Sequence, residues 1–279
     1  MEKSNNNVAN HYNKIKSLGV QSREASKIIG VREANNFLKQ KLIQKFIREN
    51  SVVLDLGCGK GGDLSKLKHH NIKHYYGCDI AKESLAEALK RSLTHKFKSD
   101  FLQADFINNK IIIQEKADLV MAQFSFHYAF ANENSVKKAV NNVCNNLKEG
   151  GVFILTIPDM QVITRRSARN IVDGSFGNSL YKVCPNKSFY KNELFGRGYE
   201  FHLQEALTGC EEYLIDLNYL TSHFASKGIK KIFDIDFLSF LNHEMSADKE
   251  TYSRMVRHPL TKEELPIIEL YRAVAYKKN

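Results

Sequence analysis

Residues 52–67, VVLDLGCGKGGDLSKL, decide the fold expected for this chain. An apolar run contains an acid near its end, Asp55, glycines follow at positions 57, 59, 61 and 62, and a helical pattern begins at Asp63. A strand, a glycine-rich turn and a helix in this order are typical of the first unit of a parallel α/β sheet. The stretch raises the question of which ligand requires bare backbone next to a carboxylate.

Strand and helix patterns alternate through most of the remaining sequence. Helical periodicity occurs at 34–47, 83–93, 135–151 and 217–228, and strand patterns at 52–56, 73–79, 117–126, 152–157, 229–235 and 269–278. A further strand should precede Asp105, and residues 199–217 predict two short strands that meet at Thr208–Gly209. This alternation predicts an α/β fold with a mostly parallel sheet and helices on both faces. We expect a disordered tail at 1–10 and one domain over 11–279, with an insertion at about 160–212.

Composition narrows the possible classes of protein. The chain has 279 residues, of which 43% are hydrophobic, enough for one large core. No apolar run approaches the roughly 20 residues of a membrane span, and the N-terminus lacks the apolar region of a secretory signal. The five cysteines are odd in number and form no CxxC pair, so we expect neither disulfides nor a metal site. The net charge of +10, concentrated in 1–50 and 160–200, suggests a polyanionic partner or simply a solvated surface.

The glycine loop also satisfies the GxGxxG pattern, which by itself is weak evidence. A phosphate-binding P-loop requires GxxxxGK[ST], and Lys60 stands between the glycines instead. A dinucleotide would place its pyrophosphate near Asp55, which would repel it. A ligand with a cationic centre and no phosphate removes this conflict, and S-adenosylmethionine carries both a sulfonium and an ammonium group.

Two further acids support this donor. Asp79 ends the next strand and could bind the ribose hydroxyls, and Asp105 follows the third strand and could bind the adenine amine. The alternative is that Asp55 only forms a turn and Asp79 only caps a helix. Three acids at successive strand ends around one glycine loop favour the donor site.

The segment QFSFHYAF, residues 123–130, follows the fourth strand and should face the donor, because ligands of such sheets lie beyond the carboxyl ends of the strands. It lacks the Asn/Asp-Pro-Pro-aromatic segment of exocyclic-amine methylation and the Pro-Cys nucleophile of cytosine C5 chemistry. Its aromatic residues suggest a flat acceptor held by stacking. Aromatic residues that only fill the core are the alternative.

Four segments together resemble the cellular mRNA cap guanine-N7 methyltransferases, from about His11 to the C-terminus: ANNFLK (34–39), VLDLGCGKGGDLSK (53–66), QFSFHYAF (123–130) and CEEYLIDL (210–217). The resemblance implies a Rossmann-like S-adenosylmethionine-dependent methyltransferase fold with seven strands and an insertion after the fifth. It implies methyl transfer to N7 of the guanosine cap of mRNA, a monomeric enzyme, capped RNA as partner and a nuclear location. Association with other capping enzymes or the transcription machinery cannot be inferred from the sequence.

The resemblance also assigns site residues. The donor site would comprise Lys39, Gly57, Asp79, Asp105, Gln123 and Tyr128. The cap contacts would be Asn35, Asn36, Lys60, Lys66, Arg91, His127, Glu212 and Tyr271, and a shift of one residue would exchange Glu212 for Glu211. Residues 160–200 receive no role. Guanine N7 has a free lone pair and no proton, so no catalytic acid or base is expected. A small-molecule methyltransferase and a non-catalytic RNA-binding module remain alternatives.

Overall fold

The computed structural model describes residues 25–279. The tail expected at 1–10 and the first part of the expected domain lie outside the described residues. The helices are α1 (Ile29–Phe46), α2 (Leu64–Leu67), α3 (Lys82–Ser92), α4 (Glu133–Asn146), α5 (Met160–Ser167), α6 (Leu217–Ala225), α7 (Phe237–Ala247), α8 (Lys249–Met255) and α9 (Leu265–Ile268). The strands are β1 (Val52–Leu56), β2 (His74–Asp79), β3 (Lys98–Gln103), β4 (Ala117–Gln123), β5 (Leu147–Pro158), β6 (Phe176–Gly177), β7 (Tyr181–Pro185), β8 (Gly198–Leu203), β9 (Leu207–Tyr213), β10 (Ile229–Asp236) and β11 (Tyr271–Lys278).

Seven strands form the main sheet in the order β10-β11-β5-β4-β1-β2-β3. The pairs among β1 to β5 are parallel, and β11 pairs antiparallel with both β5 and β10. The strand order reverses between β1 and β4, which places a crevice at their carboxyl ends. The predicted fold class, a mostly parallel seven-stranded α/β sheet, is confirmed.

Both faces of the sheet are covered because its central strands are apolar on both sides. Successive side chains of a strand point to opposite faces. Val53 of β1 packs in one core with Phe37 of α1, whereas Val52 and Leu54 pack in another core with Val140 of α4. Burial on both faces explains why residues 52–54 are a continuous apolar run rather than an alternating pattern. Among residues 25–279, no helix is both long and apolar enough to cross a membrane.

A second, antiparallel sheet of order β6-β7-β8-β9 follows β5 and α5 in the chain. The turn between β8 and β9 lies at residues 204–206, so its prediction at Thr208–Gly209 is wrong. Glu205 takes the positive φ of the turn (61°). Gly209 lies inside β9 with φ 62°, and its N–H donates to Nδ1 of His202 over 3.1 Å. The glycine therefore marks an irregularity within a strand. In the sequence, a glycine in this role looks the same as a glycine in a turn.

Two predicted element ends are also wrong. The helix predicted at 135–151 ends at Asn146, because Leu147 is extended and pairs with Ala117 at the start of β4. The strand predicted at 117–126 ends at Gln123, because Phe124 takes a positive φ of 54°. A 3-10 helix, Phe126–Ala131, follows this turn. Positive φ is uncommon for a bulky residue, and here it redirects the chain at the crevice of the sheet.

Candidate active site

The glycine loop after β1 has one packed side and one open side. Gly57, Gly59 and Gly61 have φ of 80°, 51° and 69°, a region that residues with a Cβ rarely adopt. A Cβ on Gly57 would stand 2.5 Å from Cβ of Ser125, so the segment after β4 packs directly on the loop. A Cβ on Gly59 or Gly62 would meet no atom within 4 Å. The backbone is therefore accessible to a ligand on that side.

Asp79, the last residue of β2, connects this loop to α3. Its Oδ2 accepts a hydrogen bond from Gly59 N at 2.7 Å, and its Oδ1 accepts one from Ala81 N at 2.8 Å. Burial raises the pKa of Asp79, although these backbone N–H groups partly oppose the rise. Asp79 therefore binds the backbone N–H of Ala81, the residue before α3, without capping the helix itself. Each carboxylate oxygen has a second lone pair that a ligand could use.

Acids and lysines form a buried cluster beside the loop. Lys39 and Lys66 both lie against Oδ1 of Asp63, with Nζ at 2.7 Å and 2.9 Å. Burial disfavours the Asp63 charge, but the two lysines outweigh it and lower its pKa. Burial and the nearby Asp63 charge raise the pKa of Asp55 to about 8. Tyr75 Oη donates to Oδ2 of Asp55 over 2.8 Å, and Oδ1 has no hydrogen-bond partner among the described residues.

The other residues predicted for the donor site differ in whether their side-chain polar atoms have hydrogen-bond partners within the protein. Asp105 lies two residues beyond β3, and its Oδ1 accepts a hydrogen bond from Ile107 N at 2.9 Å. Tyr128 Oη lies 3.2 Å from Sγ of Cys210. Gln123 is buried at the end of β4, and neither its amide oxygen nor its amide nitrogen has a partner within 25–279. An unsatisfied buried amide costs about 1–3 kcal/mol, which a ligand contact would offset.

His127 and Glu212 form a buried pair where the 3-10 helix meets β9. They are 2% and 4% exposed, and Nε2 of His127 lies 3.6 Å from Oε1 of Glu212. Burial lowers the pKa of His127 to about 3 and raises the pKa of Glu212 to about 7. Tyr199 Oη donates to Oε2 of Glu212 over 2.8 Å. Because His127 follows Ser125 by two residues, this pair is linked to the glycine loop through one short segment.

The neighbouring Glu211 has a different environment. It is exposed, and its carboxylate accepts hydrogen bonds from Tyr213 Oη and Asn186 Nδ2, both over 3.0 Å. Alternate residues of β9 point to opposite faces of the second sheet, so only one of the two acids can face His127. That acid is Glu212.

Tyr271 and Asn35 lie on elements distant in sequence from this pair. Tyr271 opens β11, and its ring packs edge-on against Phe124 at 5.0 Å between centroids. Asn35 lies on α1, and its buried Oδ1 has no hydrogen-bond partner among the described residues. Phe124 and Tyr271 therefore place the last strand against the aromatic segment after β4.

Three predicted cap residues share a cleft of about 710 Å³. Its lining residues are Glu33, Asn36, Gln40, Gly61, Gly62, Ser65, Lys66, Arg91, Thr94, His95, Met255 and Arg257. Lys66 is buried there and donates to Asn36 Oδ1 at 3.0 Å. Arg91 forms an ion pair with Glu87, which also pairs with Lys60 at 3.2 Å. The cleft thus combines the half-buried Arg91 with a buried lysine that is paired with Asn36.

Some residues that shape the site were not predicted. Tyr199 lies directly opposite Glu212 in the β8–β9 register, and nothing in the sequence fixes that register before the hairpin turn is known. The sequence pattern predicts Asp63 only as the start of a helix. Its spacing of three residues from Lys66 was the available signal, because such positions are neighbours on a helical turn.

The fold and the glycine loop define the class of protein. The structure is similar to an S-adenosylmethionine-dependent methyltransferase from Clostridium acetobutylicum (TM-score 0.57, 18% identity, 98% of each chain covered). It is also similar to a putative S-adenosylmethionine-dependent methyltransferase from Listeria monocytogenes (TM-score 0.56, 19% identity, 90% of this chain and 99% of that one). The chain therefore has the fold of S-adenosylmethionine-dependent methyltransferases.

Within that class, a family model described as the mRNA (guanine-N(7))-methyltransferase domain matches residues 1–278, and the chain belongs to this family. It is 36% identical to the mRNA cap guanine-N(7) methyltransferase of Schizosaccharomyces pombe, with 89% of this chain and 72% of the relative covered. It is 39% identical to that of Caenorhabditis briggsae, over 74% of this chain. The chain spans 60% of the Caenorhabditis protein and only 35% of a Cryptococcus neoformans relative that is 35% identical.

Proposed function

We propose that this protein transfers a methyl group from S-adenosylmethionine to N7 of the guanosine cap of mRNA. Family membership indicates this reaction, and one structural observation supports it most directly. The buried pair of His127 and Glu212 is joined by the segment around Ser125 to the backbone of the glycine loop. A base bound at Glu212 would therefore lie near a donor bound at the loop.

The residues present fit S-adenosylmethionine, which supplies an electrophilic methyl group on a sulfonium centre. The open sides of Gly59 and Gly62 leave space for its amino-acid part. Within residues 25–279, Oδ1 of Asp55 and the amide of Gln123 have no hydrogen-bond partner. Oδ1 of Asp55 suits the positive charge of the donor, and the Gln123 amide suits its polar groups. Asp79 would bind the ribose through its remaining lone pairs.

The other donor contacts are proposed on the same basis. Gly57, Asp105 and Tyr128 would complete the pocket. Lys39 would act through Asp63, because the ion pair at 2.7 Å orders the loop-to-helix junction. A bound cation near Asp55 would also stabilise the ionised form of that buried carboxylate.

Guanine recognition is proposed for Glu212. In its ionised form the carboxylate can accept hydrogen bonds from guanine N1–H and the exocyclic amine, a bidentate match that adenine cannot supply. His127 is neutral at physiological pH, because burial lowers its pKa to about 3. It would position the base rather than exchange a proton with it.

No residue acts as a general base in this proposal, because N7 has no proton to lose. The protein would hold N7, the methyl carbon and sulfur in line. Orientation of this kind can supply about 7–11 kcal/mol of the barrier. Carboxylates near the crevice would favour the positive charge that spreads onto guanine in the transition state.

The remaining predicted cap contacts are proposed for the phosphates and the edge of the pocket. Lys60 and Arg91 would contact the triphosphate bridge, whereas Lys66, buried against Asn36, would order that wall of the cleft. Tyr271 and Asn35 would contact the cap from β11 and α1. The sheet formed by β6 to β9, within the insertion at about 160–212, would serve cap binding through Glu212.

A comparison of three acceptors tests the proposal. The protein is incubated with methyl-labelled donor and GpppA, free GTP or uncapped triphosphate RNA. Transfer to GpppA, with the label at N7, is expected. Transfer only to GTP would indicate a small-molecule methyltransferase, and donor binding without transfer would indicate a non-catalytic module.

We also propose that the protein is a monomer and that it acts on capped RNA in the nucleus. Family membership supports the RNA substrate, and the eukaryotic source of the relatives supports the nuclear location. Light scattering of the purified chain tests the monomer, and imaging of a tagged copy in the source cell tests the location.

A further inference from the structure

The cleft that contains Lys66 and Arg91 has a second wall, contributed by the C-terminal part of the chain. Met255, the last residue of α8, and Arg257 line it. The Arg257 side chain is 65% exposed, against 32% for Arg91 and 5% for Lys66. Of these three cations, Arg257 therefore has the side chain most accessible to a ligand.

Glu33 of α1 fixes the position of Arg257. One of its carboxylate oxygens, Oε2, accepts hydrogen bonds from the backbone N–H groups of Arg257 and His258, both at 2.8 Å. The other, Oε1, lies 3.1 Å from Nδ1 of His258 and 4.0 Å from Nε of Arg257. The backbone of the wall is thus attached to α1, while most of the Arg257 side-chain surface is exposed.

Charge around the cleft favours an anion. Asp63 is shared by two lysines, Lys39 and Lys66. Glu87 is likewise shared by Lys60 and Arg91. Each of these two acids carries one negative charge and faces two cations, so neither acid can neutralise both of its cations. Phosphate accepts bidentate hydrogen bonds from arginine, which an ammonium group cannot provide in the same planar geometry.

We propose that Arg257, in the segment whose backbone Glu33 attaches to α1, binds a phosphate group of the RNA substrate. The inference rests on the proposed function for the identity of the RNA, but phosphate binding can be measured without methyl transfer. The phosphate belongs either to the triphosphate bridge of the cap or to the first phosphodiester groups of the transcript. Arg257 would be a binding residue, supplied by a segment more than 160 residues from Arg91 in the chain.

Binding of two probes as a function of salt tests the proposal. The probes are GpppA and a GpppA-capped RNA of about ten nucleotides, and the variants are Arg257→Ala, Arg257→Lys and Arg254→Ala. Arg254 is the matched control, because it is exposed on α8 and does not line the cleft. Losing one phosphate contact should reduce the magnitude of the log–log salt slope by about 0.7, or roughly 2.6-fold less loss of affinity over a fourfold rise in salt.

We expect this reduction in Arg257→Ala and a wild-type slope in Arg254→Ala. Arg257→Lys should retain the slope, which would exclude a purely structural effect. A reduction with both probes places the phosphate in the triphosphate bridge, and a reduction only with the capped RNA places it in the transcript. Wild-type slopes for Arg257→Ala with both probes would overturn the proposal.

Methyl transfer by the wild-type protein separates this inference from the proposed function. If the protein methylates GpppA and Arg257→Ala leaves both slopes unchanged, only the role of Arg257 fails. If the protein does not methylate GpppA but Arg257→Ala reduces a slope, the proposed reaction fails and the phosphate site stands.

Discussion

Replacing Glu212 with glutamine should raise the stability of this protein and lower its activity. The substitution removes the charge but retains the shape of the side chain and an oxygen that can accept the hydrogen bond from Tyr199. Burial raises the pKa of Glu212 from 4.5 to about 7. The interval between these values corresponds to about 3 kcal/mol of folding free energy.

The sign follows from which state holds the proton more tightly. The folded pKa is above the unfolded value, so the stabilisation due to the proton is complete below pH 4.5 and is lost as the pH rises through about 7. Glutamine has no proton to lose. The free energy of unfolding of Glu212→Gln should exceed that of the wild type by about 3 kcal/mol at pH 9 and by only about 1 kcal/mol at pH 5. His127 remains neutral over this range and supplies no compensating charge.

Urea denaturation at pH 5, 7 and 9 measures this difference, with Glu211→Gln as the control because Glu211 is exposed. If the difference in free energy of unfolding between Glu212→Gln and the wild type did not change with pH, burial would not raise the pKa of Glu212 and the reasoning would be refuted. The same variant should lose about 2–5 kcal/mol of transition-state stabilisation, measured from kcat/KM on GpppA, because guanine donors would be left unpaired. Wild-type kcat/KM in Glu212→Gln together with loss in Glu211→Gln would move guanine recognition to Glu211.

Three further outcomes are expected. Asp79→Ala should abolish donor binding, because the ribose contacts and the hydrogen bond to Gly59 N are both lost. Each charge-assisted bond contributes roughly 1.5–3 kcal/mol. Wild-type donor affinity of this variant by calorimetry would remove Asp79 from the site. The single-turnover rate at saturating cap should be nearly flat between about pH 6.5 and 8.5, and a unit-slope rise that disappears when one residue is replaced would reveal a general base. Replacing Lys60 or Arg91 by alanine should each lower the magnitude of the salt slope for capped RNA by about 0.7, and unchanged slopes would exclude both from phosphate binding.

The identity of most elements could be predicted from local sequence, but several of their ends could not. The apolar runs 52–54 of β1 and 152–155 of β5 could be predicted as strands, because both faces of the sheet are buried there and no polar residue interrupts either run. The end of α4 depended on the pairing of Leu147 with Ala117 in β4, a contact between positions 30 residues apart. The predicted position of the turn after β8 is wrong because Gly209 lies at an irregularity within β9. A single glycine in the sequence does not show whether it lies in a turn or in an irregular strand.

The kind of chemistry could be read from local patterns: Asp55, the glycines after it, and the acids at the following strand ends. These patterns depend on backbone freedom and charge, which act within a few residues. Which side chains meet depends on contacts between distant parts of the chain. The pairing of β8 with β9 buries Glu212 against His127 and Tyr199 while leaving Glu211 exposed, and the docking of the C-terminal segment on Glu33 brings Arg257 into the cleft of Arg91. Burial and long-range register set these environments and their pKa values, and neither is encoded in the spacing of residues along the chain.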